Sequence, residues 1–318
     1  MKIYLEAKPE PWVTWDKDLW KESQNVLEDY GDFEITSLQT EADIHMYEYY
    51  PGFTMKGFNP NVSYIVFVES LEDDEFREMM LIFHPMFSSG MDLMFATDSV
   101  EFYDRIRAEG YPVIRWNRPS RVPKKMVWDG ESFDRSGGFA ITCAGDRLED
   151  NLAEILKTYF AICLHGESGK EGEELVLMHD VDIFSAQELP FEVFNNVYFH
   201  GLQPNPKMFR KIKTCRLFIS PYNGDGVPIN AIDALMMGVP VIVRDTVSNR
   251  AVFNWNDKCF FSNEQELAQK IKYFSDVSTD DPEYRRIVTD GFEAVREAYS
   301  VKNSLLSLIY LVKAWKGA

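Results

Sequence analysis

The sequence has few cysteines and lacks long hydrophobic runs. It has four cysteines in 318 residues, none in a Cys-x-x-Cys pair: Cys143, Cys163, Cys215 and Cys259. This pattern argues against a disulfide framework or a metal cluster and predicts reduced, mostly buried thiols. The longest apolar candidate for a membrane span, residues 307–312, is broken by Lys313 and is too short to cross a bilayer.

The amino terminus lacks the features of a signal peptide. Charged residues already occur at Lys2 and Glu6, so the segment is typical of a first β-strand. Together with reduced thiols, this predicts a cytoplasmic protein without a transmembrane segment.

Positive charge is scarce as well. The chain has 33 Lys and Arg against 51 Asp and Glu, which gives a formal net charge of −18. Proteins that bind nucleic acid usually present a basic face. Here only short basic clusters occur, at residues 124–125 and 207–213. The balance disfavours nucleic acid as a partner.

Apolar residues, in contrast, are plentiful. They make up 45% of the chain, enough for two folded domains with separate cores. Short apolar runs alternate with segments of helical spacing, which is typical of open α/β sheets. The predicted strands are residues 1–5, 33–37, 42–47, 64–68, 93–96, 113–116, 139–144, 174–178, 197–200, 217–220 and 240–244. The predicted helices are residues 18–30, 99–109, 151–163, 205–214, 230–237, 264–274, 281–299 and 302–316.

A polar stretch rich in Pro and Gly, residues 118–136, predicts a linker between the two halves. We therefore expect an α/β protein of two Rossmann-like domains, residues 1–125 and 126–300. Residues 301–318 are expected to form a final helix that packs back on the first domain.

The most informative segment is residues 197–245. A strand ending in Ser-Pro is followed by a Gly-rich turn, a helix start and then Gly-x-Pro-Val-Ile. Ligands of open α/β sheets bind at such turns, and a helix amino terminus attracts a diphosphate. Backbone amides of residues 229–232 are predicted donors, with Asp233 in about the first helical turn, where it could bind ribose hydroxyls.

This order of residues resembles the large retaining GT-B glycosyltransferase family, whose members carry two acids in an E-x7-E motif. The matching residues here are Asp225 and Asp233, followed by residues 234–241, Ala-Leu-Met-Met-Gly-Val-Pro-Val. The resemblance covers residues 139–275. It implies a GT-B fold with a donor cleft between two Rossmann-like domains, the second holding a nucleotide-diphosphate sugar and the first the acceptor.

The resemblance also implies roles for individual residues. Asp233 would bind the ribose, Asp225 would lie by the donor sugar, and Arg147 would neutralise the leaving diphosphate. Other implied donor contacts are Gly145, Gly226, Val227, Ile229, Asn230 and Ala231. No metal or other cofactor is required, and a UDP-sugar is favoured over a GDP-sugar as donor.

The sequence departs from the family motif at four points, and the last three motivate an alternative. Both acids are Asp, Pro228 replaces a second Gly, and the Lys expected after Arg147 is missing. Residues 8–12, Lys-Pro-Glu-Pro-Trp, replace a Gly-rich loop. The alternative is a degenerate GT-B subunit that binds a sugar nucleotide or a partner protein without transferring sugar.

Four further residues are candidates. Asp180 and Asp182 follow a strand as a D-x-D pair, which can chelate a cation in metal-dependent GT-A enzymes, or Asp180 could face the nucleotide without metal. Glu69 follows the strand at 64–68 and is a candidate to meet the acceptor. Arg250 is a candidate for phosphate binding or for a surface salt bridge.

The expected reaction is therefore sugar transfer from a nucleotide sugar to a hydroxyl acceptor, with retention of configuration. The acceptor, a glycan, a lipid-linked sugar or a small molecule, is not identified by the sequence. A nucleotide-sugar epimerase and a glucosyltransferase acting on DNA remain alternatives on the same fold.

Overall fold

The computed structural model describes residues 2–6, 34–36, 41–49, 59–68, 71, 73–133, 137–142, 175–178, 197–199, 205–220, 227–253 and 256–317. The chain divides into two compact units. The first consists mainly of residues 1–121 and 298–318, and the second mainly of residues 122–223 and 228–297.

The first unit contains a parallel sheet. Its strands are β1 (Lys2–Glu6), β2 (Glu34–Thr36), β3 (Ile44–Glu48), β4 (Ser63–Phe67), β5 (Leu93–Thr97) and β6 (Val113–Arg115). Neighbouring strands run parallel in the order β2-β1-β3-β4-β5-β6. All side chains of β4 and β5 are buried, as expected where helices cover both faces of a parallel sheet.

The second unit contains another parallel sheet. Its strands are β7 (Gly137–Thr142), β8 (Leu175–Met178), β9 (Val197–Phe199), β10 (Cys215–Ile219), β11 (Val241–Arg244) and β12 (Phe260–Phe261). Their order is β12-β11-β10-β7-β8-β9. Counted from β7, this is the doubly wound order 3-2-1-4-5-6 of dinucleotide-binding domains.

Eight α-helices lie in the described part of the chain. They are α1 (Asp73–Ser88), α2 (Val100–Ala108), α3 (Asn205–Thr214), α4 (Ile229–Met236), α5 (Val247–Phe253), α6 (Glu264–Asp276), α7 (Pro282–Arg296) and α8 (Val301–Lys316). Short 3-10 turns occur at Lys124–Met126 and Asp257–Cys259. The predicted helices at 18–30 and 151–163 lie outside the described residues.

Helix α1 is absent from the predicted order of elements, because Pro85 inside it is a helix breaker. Its buried residues Phe76, Met79, Phe83 and Met86 recur every three or four positions and pack on one face of the first sheet. This burial offsets the cost of the proline, which is about 3 kcal/mol in a helix interior.

Helix α8 covers the opposite face of that sheet. Its buried residues at positions 301, 305, 308, 309 and 312 follow the helical period and pack among Ile65, Phe67 and Trp116. The indole Nε1 of Trp116 donates a hydrogen bond to the carbonyl of Ser304 at 2.8 Å. The last helix is therefore part of the core of the first unit.

An ionic cluster fixes α5 after strand β11, where no helix was predicted. Arg250 donates two hydrogen bonds to Asp245, at 2.7 and 2.8 Å, and one to Asp257 at 2.7 Å. Its guanidinium also lies 4.0 Å from the ring centre of Phe260. The hydrogen bonds from Arg250 hold the pKa of Asp245 below its ordinary value. Arg250 is thus held by carboxylates, in agreement with the salt-bridge interpretation.

We predict that Leu308→Ala lowers the free energy of unfolding by about 2–5 kcal/mol, because it leaves a cavity in the core under α8. Tyr310, on the same helix, is 67% exposed, whereas Leu308 is 2% exposed. Tyr310→Ala is the matched control and should change stability by no more than about 0.5 kcal/mol. Urea unfolding measures both values, and equal losses would contradict the packing of α8.

We also predict that the Asp245–Arg250 pair makes stability depend on acid pH. The pKa of Asp245 is lower in the folded state than in the unfolded state. The ion pair therefore stabilises the folded protein at pH values above the pKa of the unfolded carboxyl group. This stabilisation is lost as the pH falls through the folded-state pKa. In Asp245→Asn, the free energy of unfolding should therefore fall less steeply as the pH is lowered from about 6 to 3, as measured by urea unfolding. Arg250→Ala should do the same, and an unchanged slope in both variants would refute the coupling.

Candidate functional site

The candidate site lies where the strand order of the second sheet reverses. Strands β7 and β10 pair in parallel, with Ile141 opposite Ile219 one residue before β7 ends. Strand β10 leads through residues 220–228 into α4. Because ligands of open α/β sheets bind outside the carboxyl ends of the strands at such a reversal, this edge is the expected ligand position.

The start of α4 offers fewer backbone donors than predicted. The carbonyl of Pro228 accepts hydrogen bonds from the amides of Ala231, at 2.8 Å, and Ile232, at 3.2 Å. Two of the four predicted donors are therefore bonded within the helix, and the other two belong to Ile229 and Asn230. These are the first two helical residues, and both side chains are partly exposed.

The proline at the N-cap favours an anionic ligand at this helix end. Pro228 has no side-chain oxygen, so it forms no capping hydrogen bond, and the first turn of α4 contains no acidic residue. The positive end of the helix dipole is thus left without a carboxylate from the first turn. A phosphate oxygen is the type of group that such a terminus attracts.

Asp233 occupies a different place from the one predicted. It is the fifth residue of α4, and so lies in the second turn, and its side chain is 0% exposed. Its neighbours in the helix, residues 231–236, are all buried as well. A carboxylate in such surroundings is unusual, because burial of an ionised group costs free energy unless a partner compensates it. Asp233 is thus the one charged residue of α4, and the other buried residues of this helix are apolar.

The structure places only part of the predicted site. Val227 and Ala231 are buried, at 4% and 0% exposure, so their side chains face the protein interior. Six predicted residues lie outside the described residues: Glu69, Gly145, Arg147, Asp180, Asp225 and Gly226. In the sequence, Gly145 and Arg147 follow the end of β7 by three and five residues, and Asp180 follows the end of β8 by two.

Sequence patterns did not identify Trp128, which lies against the end of α4. Gly238 ends the helix, as predicted, with a φ of +72°. The indole of Trp128 lies directly against it, although Trp128 belongs to the segment interpreted as a linker. A large aromatic residue in a polar segment is the sequence signal that could have identified Trp128. In the structure its side chain is 4% exposed.

A buried ion pair lies at the carboxyl end of β5 in the first unit. Arg118 donates to Asp98 from Nε at 3.3 Å and from Nη2 at 3.2 Å, and both side chains are almost fully buried. Burial, with a smaller effect of Asp98, raises the pKa of the nearby Tyr299 hydroxyl. Asp98 follows β5, which pairs with β4, and β4 ends two residues before Glu69 in the sequence.

Among the described residues, no group of three or more His, Cys, Asp or Glu side chains could hold a metal ion. None of the described helices combines the length and apolar character needed to cross a membrane.

A family model described as glycosyl transferases group 1 matches residues 146–276, all of which except residues 224–227 fall in the second unit. No curated protein matches the sequence.

Solved structures match nearly the whole chain at low identity. HepE from Anabaena, in complex with UDP and glucose, has a TM-score of 0.64 and 8% identity, with 98% of this chain and 99% of that chain covered. Sucrose-phosphate synthase from Thermosynechococcus elongatus has a TM-score of 0.67 and 11% identity, with 99% of each chain covered. A glycosyltransferase from Rickettsia africae has a TM-score of 0.56 and 13% identity, with 98% and 83% covered. At these identities the similarity shows the fold: the chain has the predicted GT-B fold.

Proposed function

We propose that the protein is a glycosyltransferase that uses a nucleoside diphosphate sugar, with a UDP-sugar as the donor. The observation that carries the proposal is the start of α4. It follows β10 at the strand reversal, and its positive end lacks a side-chain cap and a first-turn carboxylate. The match of residues 146–276 to the group 1 glycosyl transferase model supports the same assignment, and the UDP bound to HepE supports the choice of base.

The donor diphosphate would bind at the amides of Ile229 and Asn230. Two backbone donors and the helix dipole stabilise an anion there, and this stabilisation grows as the sugar–phosphate bond breaks and negative charge builds on the leaving group. In this proposal Arg147, five residues after β7 in the sequence, supplies the cation for the leaving diphosphate. Gly145, Gly226 and Asp180 would line the donor.

The donor ribose and sugar would be bound by the two acids. Asp233 accepts hydrogen bonds from vicinal ribose hydroxyls, and Asp225 lies by the sugar. The buried position of Asp233 gives such bonds a low-dielectric setting, in which hydrogen bonds to a carboxylate contribute most. Asp233 is thereby the residue on which donor affinity is expected to depend most strongly.

The proposed reaction exchanges one bond at the anomeric carbon. The bond to the diphosphate oxygen breaks, a bond to the acceptor oxygen forms on the same face, and the acceptor proton passes to the leaving phosphate. Configuration is retained, and the products are the glycosylated acceptor and UDP. Glu69, two residues beyond β4, is the proposed acceptor contact.

The second candidate function is a GT-B subunit that binds a nucleotide sugar or a partner protein without transfer. One observation favours it: two of the four expected amides of α4 are bonded to Pro228 instead of being available to a phosphate. Weaker stabilisation of the leaving diphosphate slows transfer more than it weakens binding, because the charge develops during the reaction.

We predict that Asp233→Ala and Asp233→Asn weaken UDP binding. Each hydrogen bond to a charged group contributes about 2 kcal/mol, or about 30-fold in Kd. Isothermal titration calorimetry with UDP, UDP-glucose, UDP-N-acetylglucosamine and GDP-mannose measures the loss and identifies the base. The control is Asp276→Ala, which removes an exposed carboxylate of α6 in the same unit and should leave Kd within about twofold.

The fold of each variant is checked by circular dichroism before titration. A folded Asp233→Ala protein that binds UDP as tightly as the wild type would refute the role of Asp233. Release of UDP from radiolabelled UDP-glucose in the presence of mixed acceptors then separates the two candidate functions, since a binding-only subunit releases none.

A further inference from the structure

Helix α4 ends in a rigid backbone motif. The amide of Gly238 donates to the carbonyl of Leu235, and that of Val239 donates to the carbonyl of Ala234, both at 2.9 Å. Together with the positive φ of Gly238, these bonds form a Schellman cap. The carboxyl end of the helix is therefore fixed relative to β11, which begins three residues after Gly238.

Trp128 is attached to the same helix end twice. Its backbone amide donates to the carbonyl of Met236 at 2.9 Å. Its ring lies so close to Gly238 that a Cβ atom on that residue would be 2.5 Å from Cγ of the indole. Only glycine fits at this position, both for its φ and for the approach of the ring.

Trp128 is itself held from the other sides. Its Nε1 donates to the carbonyl of Ser132 at 2.7 Å. The rings of Phe133 and of Phe292, on α7, lie edge-on to it with centroids at 5.2 Å. Lys213, on α3, donates to the carbonyl of Met126 at 3.2 Å. The residues before and after Trp128 are thus tied to the body of the second unit.

At the amino end of α4, Pro228 forms no capping hydrogen bond. The helix has eight residues and is about 12 Å long. So short a helix moves as a rigid body, and a displacement at Gly238 is carried to Asp233 and to the first amides.

We propose that Trp128 is a positioning residue that sets the place of α4, and through it the position of Asp233 and the amides of Ile229 and Asn230 toward the donor. The inference rests on the proposed function, since it assigns donor binding to α4. Trp128 touches no donor group; it acts through Gly238 and Met236. A shift of about 1 Å in such a group can lower activity by about 100-fold, so removal of the ring is expected to weaken donor binding.

The test compares UDP affinity among folded variants at a temperature well below their melting points. Trp128→Leu, which removes the ring, is expected to raise the Kd for UDP by about tenfold or more. Trp128→Phe keeps an aromatic ring against Gly238 and is expected to restore most of the affinity. Gly238→Ala, which pushes against the same ring, is the second variant and is expected to raise Kd as well.

The control for a merely structural role is Phe274→Leu. Phe274 is fully buried in the second unit and packs against Tyr284. It should lower the melting temperature but leave the Kd for UDP within about twofold. Amide hydrogen exchange of α4 adds a second measurement, in which Trp128→Leu and Gly238→Ala, but not Phe274→Leu, should accelerate exchange.

The outcomes separate the inference from the proposed function. A wild-type protein that binds no nucleotide overturns the proposed function and the inference with it. A wild-type protein that binds UDP, with folded Trp128→Leu and Gly238→Ala variants that bind it equally well, overturns the inference alone. If Trp128→Leu does not fold, the Kd values of Gly238→Ala and Trp128→Phe for UDP test the inference instead.

Discussion

The parallel pairing of β7 with β10 is the constraint on which the candidate site depends. These strands start more than 70 residues apart in the sequence, yet Ile141 and Ile219 are direct partners in the sheet. The order of the sheet reverses between them, so the next strands in the chain are added on opposite sides. Segments that leave their carboxyl ends therefore begin next to each other, and residues distant in sequence are brought to one edge.

Helix α4 combines two requirements that oppose each other. Its residues 231–236 are all buried, which stabilises the second unit through apolar contacts. One of them is the carboxylate of Asp233, whose burial costs free energy unless polar partners compensate it. This position therefore requires polar partners, which its apolar neighbours do not need.

Much of the fold could be predicted from local patterns. Continuous apolar runs predicted the buried strands β4, β5 and β10 to within about two residues, because parallel strands between helices are apolar on both faces. The spacing of Asn263 to Glu266 is that of a capping box, and the side chain of Asn263 accepts a hydrogen bond from the Glu266 amide at 3.0 Å. The predicted helix 230–237 ends before Gly238, which terminates α4 with a positive φ.

The failures have physical causes that local patterns do not contain. Helix α1 was missed because tertiary burial of its apolar stripe outweighs the local cost of Pro85. The donors at the start of α4 were overcounted because one carbonyl, that of Pro228, accepts two amides. The boundary between the two units, at residues 121–122, falls inside the segment predicted as a linker, but the contacts of Trp128 with Gly238 tie part of that segment to the second unit.

The net charge limits how a nucleotide sugar can be attracted. At −18 the chain repels an anionic donor at long range, but salt screens such forces beyond about 8 Å at physiological ionic strength. In the proposed function, attraction therefore comes from groups in direct contact, such as the first amides of α4, whose partial charges are effective only within a few ångströms. Their contribution depends on precise placement, and in the described structure Gly238 and Trp128 hold the carboxyl end of that helix.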